Sequence, residues 1–269
     1  MLLAAGWSAF PIDTAHLPPY NEMNTPDKGV FMRILLIRHG DPDYEKDFLT
    51  EKGEQEASCL AKWVRKLDSQ VSAYYVSPLG RARETCRVCL EPLGRTAEVL
   101  PWIEEYTGRT YNARDGYVRH AWDFYPADWT VDEKLFHEDT WMKSPFYDND
   151  SCKNGYRAIT EGFDGLLASY GYRRDGHIYR TDWPDGKPCD KTIVIFCHMI
   201  ASLSVIAHLT GIAAPLLWHG FYSTPTGVTV IQTEERERGI AWFRVRALGE
   251  AAHLLCEGEP ISDSGFFPD

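Results

Sequence analysis

The run RILLIRHGDPDYEKDFLTEKGEQEA, residues 33–57, changes character twice within 25 residues. Ile34 to Ile37 are continuously aliphatic, the pattern of a strand covered on both faces. The strand runs straight into Arg38, His39, Gly40 and an acidic turn, which sets a cation and an imidazole at the tip of a core strand. From Leu49 the period lengthens. Ala57, Leu60, Ala61, Val64 and Leu67 share one face of a helix, and Thr50 stands where its N-cap belongs.

The same alternation continues along the chain. SAYYVS (72–77) reads as a second strand, with Pro78 opening a helix over LGRARETCRVCLEPL. AEVL (97–100) is a short third strand. TIVIFC (192–197) is a fourth, followed by a helix from about Met199 to Leu209, and GVTVIQT and IAWFRVRAL pair antiparallel around EERERG. Apolar strands alternating with helices predict an α/β three-layer sandwich: a mainly parallel sheet with helices on both faces and an antiparallel edge. Between about 106 and 160 the pattern lapses into an aromatic insertion before a helix near Tyr156 to Tyr170. Its Trp122, Trp129 and Trp141 suit a small satellite core, with a substrate lid as the alternative. Residues 1–31 carry four prolines, the last in a Pro-Asp turn signal, and read as a peripheral extension, leaving 32–269 as one domain.

Composition narrows the function. The 269 residues carry a formal net charge of -11, which argues against nucleic acid as a partner but leaves room for a local basic pocket and a small anionic substrate. Seven scattered cysteines suit free thiols in a reducing, cytoplasmic setting. Thr192 to Trp218 lacks Asp, Glu, Lys and Arg, yet its histidines and serines, Gly211 and Pro215 fit a buried strand and helix better than a membrane span. Cys86 and Cys89 lie inside a helix without a second such pair and read as packing, and His208 and His219 lack ligand spacing. No metal or cofactor is expected, and the oligomeric state is open.

Ligands of open α/β sheets collect beyond the carboxyl ends of parallel strands. Here those ends carry Arg38 and His39, then SPLGRARET with Arg81 and Arg83, then PWIEEYTG with Glu104 and Glu105, then His198 before a helix. Two imidazoles, two or more guanidiniums and a carboxylate should therefore converge. Such a set suits phosphoryl transfer: a neutral imidazole can attack phosphorus, arginine forks match phosphate oxygens, and a carboxylic acid can protonate the departing oxygen.

The strand-RHG opening, LTEKGEQEA, SPLGRARET, a Glu four residues before Gly108 and a late strand ending in His together resemble the histidine phosphatase superfamily, of phosphoglycerate-mutase-like fold. The resemblance covers about 32–110 and 190–247. It implies a metal-independent phosphomonoester hydrolase in which His39 is the nucleophile and passes through a phosphohistidine. Arg38 and Arg81 would bind the phosphoryl oxygens of a small phosphorylated substrate, and His198 would complete the pocket. Glu104, by its spacing to Gly108, would be the acid, with Glu105 as its competitor.

The chain departs from that pattern at two places. Met199 follows His198 where the family usually has Gly, and Asp41-Pro42-Asp43-Tyr44-Glu45 stands near the place of a common Asn. These changes make a phosphoglycerate-mutase-type phosphotransfer less suited to the chain than hydrolysis. They leave open a phosphate-ligand binding or regulatory module with weakened turnover. Asp41 and Asp43 also allow a rival, an aspartate nucleophile with magnesium, although there the aspartates would follow the strand directly.

Overall fold

The computed structural model describes residues 31–112, 115–183 and 187–265. Its strands are β1 Arg33–Arg38, β2 Pro42–Asp43, β3 Phe48–Leu49, β4 Val71–Val76, β5 Glu98–Val99, β6 Arg109–Asn112, β7 Tyr117–His120, β8 Tyr172–Asp175, β9 Ile178–Thr181, β10 Thr192–Cys197, β11 Val228–Glu237 and β12 Ile240–Glu250. The helices are α1 Glu51–Leu67, α2 Gly80–Leu90, α3 Pro126–Trp129, α4 Asp150–Ser169, α5 Met199–Thr210, α6 Ala214–Gly220 and α7 Ala252–Glu257.

The aliphatic run of β1 lies inside an eight-stranded sheet of order β5-β4-β10-β1-β11-β12-β9-β8. Strands β5, β4, β10 and β1 are parallel, while β11, β12, β9 and β8 continue antiparallel. The antiparallel part is wider than the sequence pattern suggested, because the β8–β9 hairpin adds two strands. Its polar YRRD and IYRT segments carry little apolar alternation and give a weak strand signal.

Alternation along β1 and β10 explains the three layers. Leu35, Ile37, Val194 and Phe196 face one core, closed by Leu60 and Val64 of α1 and by Ala82, Cys86 and Cys89 of α2. Ile34, Leu36, Ile193 and Ile195 face the other, closed by α4, α5 and α6. A strand buried on both faces needs no polar residue, and each such aliphatic side chain contributes roughly 1.5–3 kcal/mol through burial. Helix α5 is buried almost all round, so the long uncharged stretch is core. Among the described residues no helix is long and apolar enough to cross a membrane.

The aromatic insertion is no separate satellite. Trp141 is wedged edge-on against Tyr147, Tyr156 and Trp218 at ring centroid distances of 5.4, 5.0 and 5.4 Å, and Tyr106 stacks on Trp218 at 4.7 Å. Its buried residues thus join the core under α5 and α6. Helix α4 begins at Asp150, six residues before the expected start, because Asn149 caps it by accepting a hydrogen bond from the Cys152 amide. Trp141→Ala should cost about 3–5 kcal/mol of stability, read from equilibrium urea unfolding, since no neighbouring ring can swing into the space.

Met32 is fully buried and its amide donates to Thr233 Oγ1 at 2.8 Å, which ties the start of β1 to β11. The extension expected over residues 1–31 lies, apart from Phe31, outside the described residues.

Candidate active site

The parallel register brings the ends of β1, β10 and β4 side by side, with Arg38 opposite Cys197 and Phe196 opposite Val76. The next residues are His39, His198 and Ser77. The two imidazoles come to a centroid distance of 5.2 Å with a 59° angle between rings, and both are buried.

The loop after β1 folds tightly. A Cβ on Gly53 would lie 2.2 Å from the Asp41 carbonyl oxygen, and one on Gly40 would lie 2.7 Å from the Gly53 carbonyl oxygen. Glycine at both positions lets the start of α1 press against the RHG turn. Thr50 caps α1 as its sequence position suggested, accepting from the Gly53 amide at 3.1 Å.

His39 Nδ1 lies 2.7 Å from the Gly40 carbonyl oxygen. A carbonyl can only accept, so Nδ1 carries the hydrogen and Nε2 keeps its lone pair. Arg81 Nε donates to that Nε2 at 3.3 Å. Burial, reinforced by the Arg38 charge, holds the imidazole well below its ordinary pKa and therefore neutral. His198 is likewise held low by burial, then by His39, Arg81 and Arg38. Its Nε2 lies 2.7 Å from Ser77 Oγ, and its Nδ1 is buried without a partner.

Arg38 is 3% exposed. Its Nη1 donates to the Ser223 carbonyl at 2.6 Å and approaches Met199 Sδ at 3.7 Å, its Nη2 donates to the Ser264 carbonyl at 3.0 Å, and its Nε is buried without a partner. Met199 thus packs beside the guanidinium. The C-terminal segment was not legible as part of the site. It is held there by Ser262 Oγ donating to Asp41 Oδ1 and by Tyr222 Oη donating to the Ser264 carbonyl. Contacts 42 to 226 positions apart leave no local signal.

The two acidic candidates part company. Glu104 is exposed, whereas Glu105 turns inward and caps α5, accepting from the Ala201 amide at 2.9 Å and from its neighbour's amide, Tyr106, at 3.0 Å. Burial raises the Glu105 carboxyl above its ordinary value, against the lowering pull of those amides and of Arg38 and Arg81. The structure brings together His39, His198, Arg38, Arg81 and Glu105, and leaves Glu104 outside. Spacing to Gly108 named Glu104 with Glu105 as its competitor, and the reversal at Pro101–Glu104 turns Glu105 inward.

The aspartates of the rival reading are engaged structurally. Asp41 accepts from Thr50 and Ser262, and Asp43 caps its own turn through the Glu45 and Lys46 amides. Among the described residues no group of three or more His, Cys, Asp or Glu is placed to hold a metal ion.

Residues 34–139 match the histidine phosphatase superfamily (branch 1). Solved structures agree over most of the chain. An Entamoeba histolytica phosphoserine phosphatase mutant in complex with phosphoserine aligns at TM-score 0.53 and 17% identity, over 83% of this chain and 99% of its own. The fold is that of the histidine phosphatases. A mycobacterial glucosyl-3-phosphoglycerate phosphatase aligns at 0.53 and 16%, over 81% of this chain and 98% of its own. A structure described as a putative alpha-ribazole-5'-P phosphatase from Escherichia coli aligns at 0.50 and 20%, over 81% and 96%. No curated protein matches the sequence. The family match contains Arg38, His39, Arg81 and Glu105, while His198 reaches the site of this histidine phosphatase fold through β10.

Beneath the site, Glu56 is fully buried, accepts from the Asp41 amide at 2.8 Å through Oε2 and leaves Oε1 unpartnered. Burial lifts its carboxyl from 4.5 to about 7. A folded-state value above the unfolded one means the favourable contribution of the neutral acid is complete below about pH 4.5 and lost as pH rises through 7. Glu56→Gln should therefore stabilise the protein at pH 8 by up to about 3 kcal/mol and change little at pH 4.5, which chemical unfolding at the two pH values checks.

Proposed function

We propose that the protein hydrolyses phosphomonoesters of small metabolites through a phosphohistidine on His39, with no metal ion. The observation that carries this reading is the neutral His39 whose Nε2 lone pair faces the Arg81 guanidinium within a few ångströms of His198. In the first step Nε2 attacks phosphorus in line and the bond to the ester oxygen breaks. Arg81 moves its N–H from Nε2 to a phosphoryl oxygen, and Arg38 exchanges a backbone carbonyl for another. Ser77 Oγ already accepts from the Leu79 amide at 3.3 Å, so its hydroxyl hydrogen is free to donate to His198 Nε2. His198 Nδ1 then carries a hydrogen that a phosphoryl oxygen would satisfy.

Glu105 replaces Glu104 as the acid in this reading. Its Oε1 is occupied by two amides and Oε2 only by the longer contact from the Ile200 amide at 3.4 Å, which leaves a lone pair of Oε2 to hold the proton passed to the departing oxygen. In the second step a water attacks phosphorus, its proton passes to the Glu105 carboxylate, the P–N bond breaks, and phosphate leaves with His39 restored.

Seven free thiols among the described residues are compatible with a reducing, cytoplasmic setting. A second reading, a phosphate-ligand binding module with little turnover, is favoured by one contact, the Ser264 carbonyl held on Arg38. Release of inorganic phosphate from p-nitrophenyl phosphate in the presence of EDTA distinguishes them. Turnover supports the hydrolase, and saturable tungstate binding without turnover supports the module.

A further inference from the structure

Arg81 contacts Asp47 as well as His39. The loop between β1 and α1 returns as a small β2–β3 hairpin, and Asp47 in it adopts φ +49°, a left-handed conformation that Asp tolerates better than most side chains. The turn is pinned by Asp43, whose carboxylate accepts from the Glu45 and Lys46 amides. Asp47 then presents both carboxylate oxygens to α2. Oδ1 accepts from Arg81 Nη1 at 2.5 Å, and Oδ2 accepts from the Gly80 amide at 2.6 Å. Contact is so close that a Cβ on Gly80 would lie 2.1 Å from the Asp47 carbonyl oxygen. The ring of Tyr44, from the same loop, stands 5.4 Å from the Arg81 guanidinium carbon.

Guanidinium geometry gives this pairing its meaning. The N–H of Nε runs parallel to one N–H of Nη2, so those two form a fork for a pair of oxygens, while Nη1 lies on the far side beside Cδ. Asp47 takes Nη1, and Nε points at His39 Nε2. The carboxylate thus occupies the edge that a phosphoryl group at His39 would not use and fixes the fork toward that group.

We infer that Asp47 is a positioning residue for phosphoryl transfer: held in a left-handed turn, it grips Arg81 Nη1 and aims the Nε–Nη2 fork at the phosphoryl group on His39. This rests on the reaction proposed above. The plain alternative is that Asp47 only caps α2, and the two make different predictions in an Arg81→Ala background.

The test uses Asp47→Asn and Asp47→Gly, both of which tolerate the left-handed backbone, each made in the wild-type and Arg81→Ala proteins. Thermal unfolding monitors folding, with kcat/KM on p-nitrophenyl phosphate and the inhibition constant of tungstate as readouts. A positioning role lowers kcat/KM about tenfold and weakens tungstate in step in the wild-type background, and changes both less than twofold once Arg81 is gone. Equal losses in the two backgrounds, tracking a lowered unfolding temperature, overturn it in favour of a cap. Activity unchanged by either variant also overturns it. A wild-type protein that neither releases phosphate nor binds tungstate overturns the reaction itself, and this inference with it.

Discussion

His39→Ala is expected to reduce phosphate release from p-nitrophenyl phosphate by at least about 10⁴-fold while the protein stays folded, because in the proposed reaction it removes the atom that bonds to phosphorus. What remains after the substitution is the arginine fork, His198 and the inward carboxylate, which can stabilise charge but give water no covalent route. The fold should survive, since the imidazole is neutral and its loss strands only the Gly40 carbonyl and the Arg81 Nε, at a cost of about 1–3 kcal/mol. A brief reaction of wild type with ³²P-labelled substrate, quenched in alkali, should leave acid-labile radioactivity on the protein that His39→Ala lacks. Turnover within tenfold of wild type in the variant would mean that another group attacks phosphorus.

The second large effect separates two neighbouring carboxylates. Glu105→Gln should lower kcat by about 10²–10⁴-fold on alkyl phosphates, whose departing alkoxide needs a proton, and by much less on p-nitrophenyl phosphate. The amide oxygen of Gln can still accept from the Ala201 and Tyr106 amides, so the shorter cap contacts on α5 are kept and only the 3.4 Å contact from the Ile200 amide is lost with the proton. Glu104→Gln, at an exposed position, should leave both substrates within about twofold. Equal loss on good and poor leaving groups with Glu105→Gln would identify its role as helix capping alone, and a leaving-group-dependent loss with Glu104→Gln would restore the acid suggested by sequence spacing.

Much of this was legible one-dimensionally, for reasons that differ by element. The strands β1 and β10 announced themselves because burial on both faces demands an unbroken aliphatic run, and α1 because one wet face imposes a helical period. Polar residues directly after apolar strands marked where ligands collect, so Arg38, His39, His198 and the pair Arg81 and Arg83 could be named before any coordinates, and the family resemblance then preferred Arg81. The β8–β9 hairpin escaped, since four-residue strands that each bury a single tyrosine, Tyr172 and Tyr179, show too little apolar alternation to be read. The aromatic segment was recognised but misassigned, because a string of rings does not state which core it joins.

The chain by itself determined the layered α/β architecture and the kinds of side chain at the sheet's polar end, because periodicity and burial act over a few residues at a time. Only the tertiary structure decided which of Glu104 and Glu105 turns inward, that Asp47 accepts from Arg81 Nη1, and that Ser264 lies against Arg38. Those outcomes depend on the meeting of segments tens to hundreds of positions apart. Such meetings are set by packing and by the need of each buried polar group for a partner, which local sequence cannot specify.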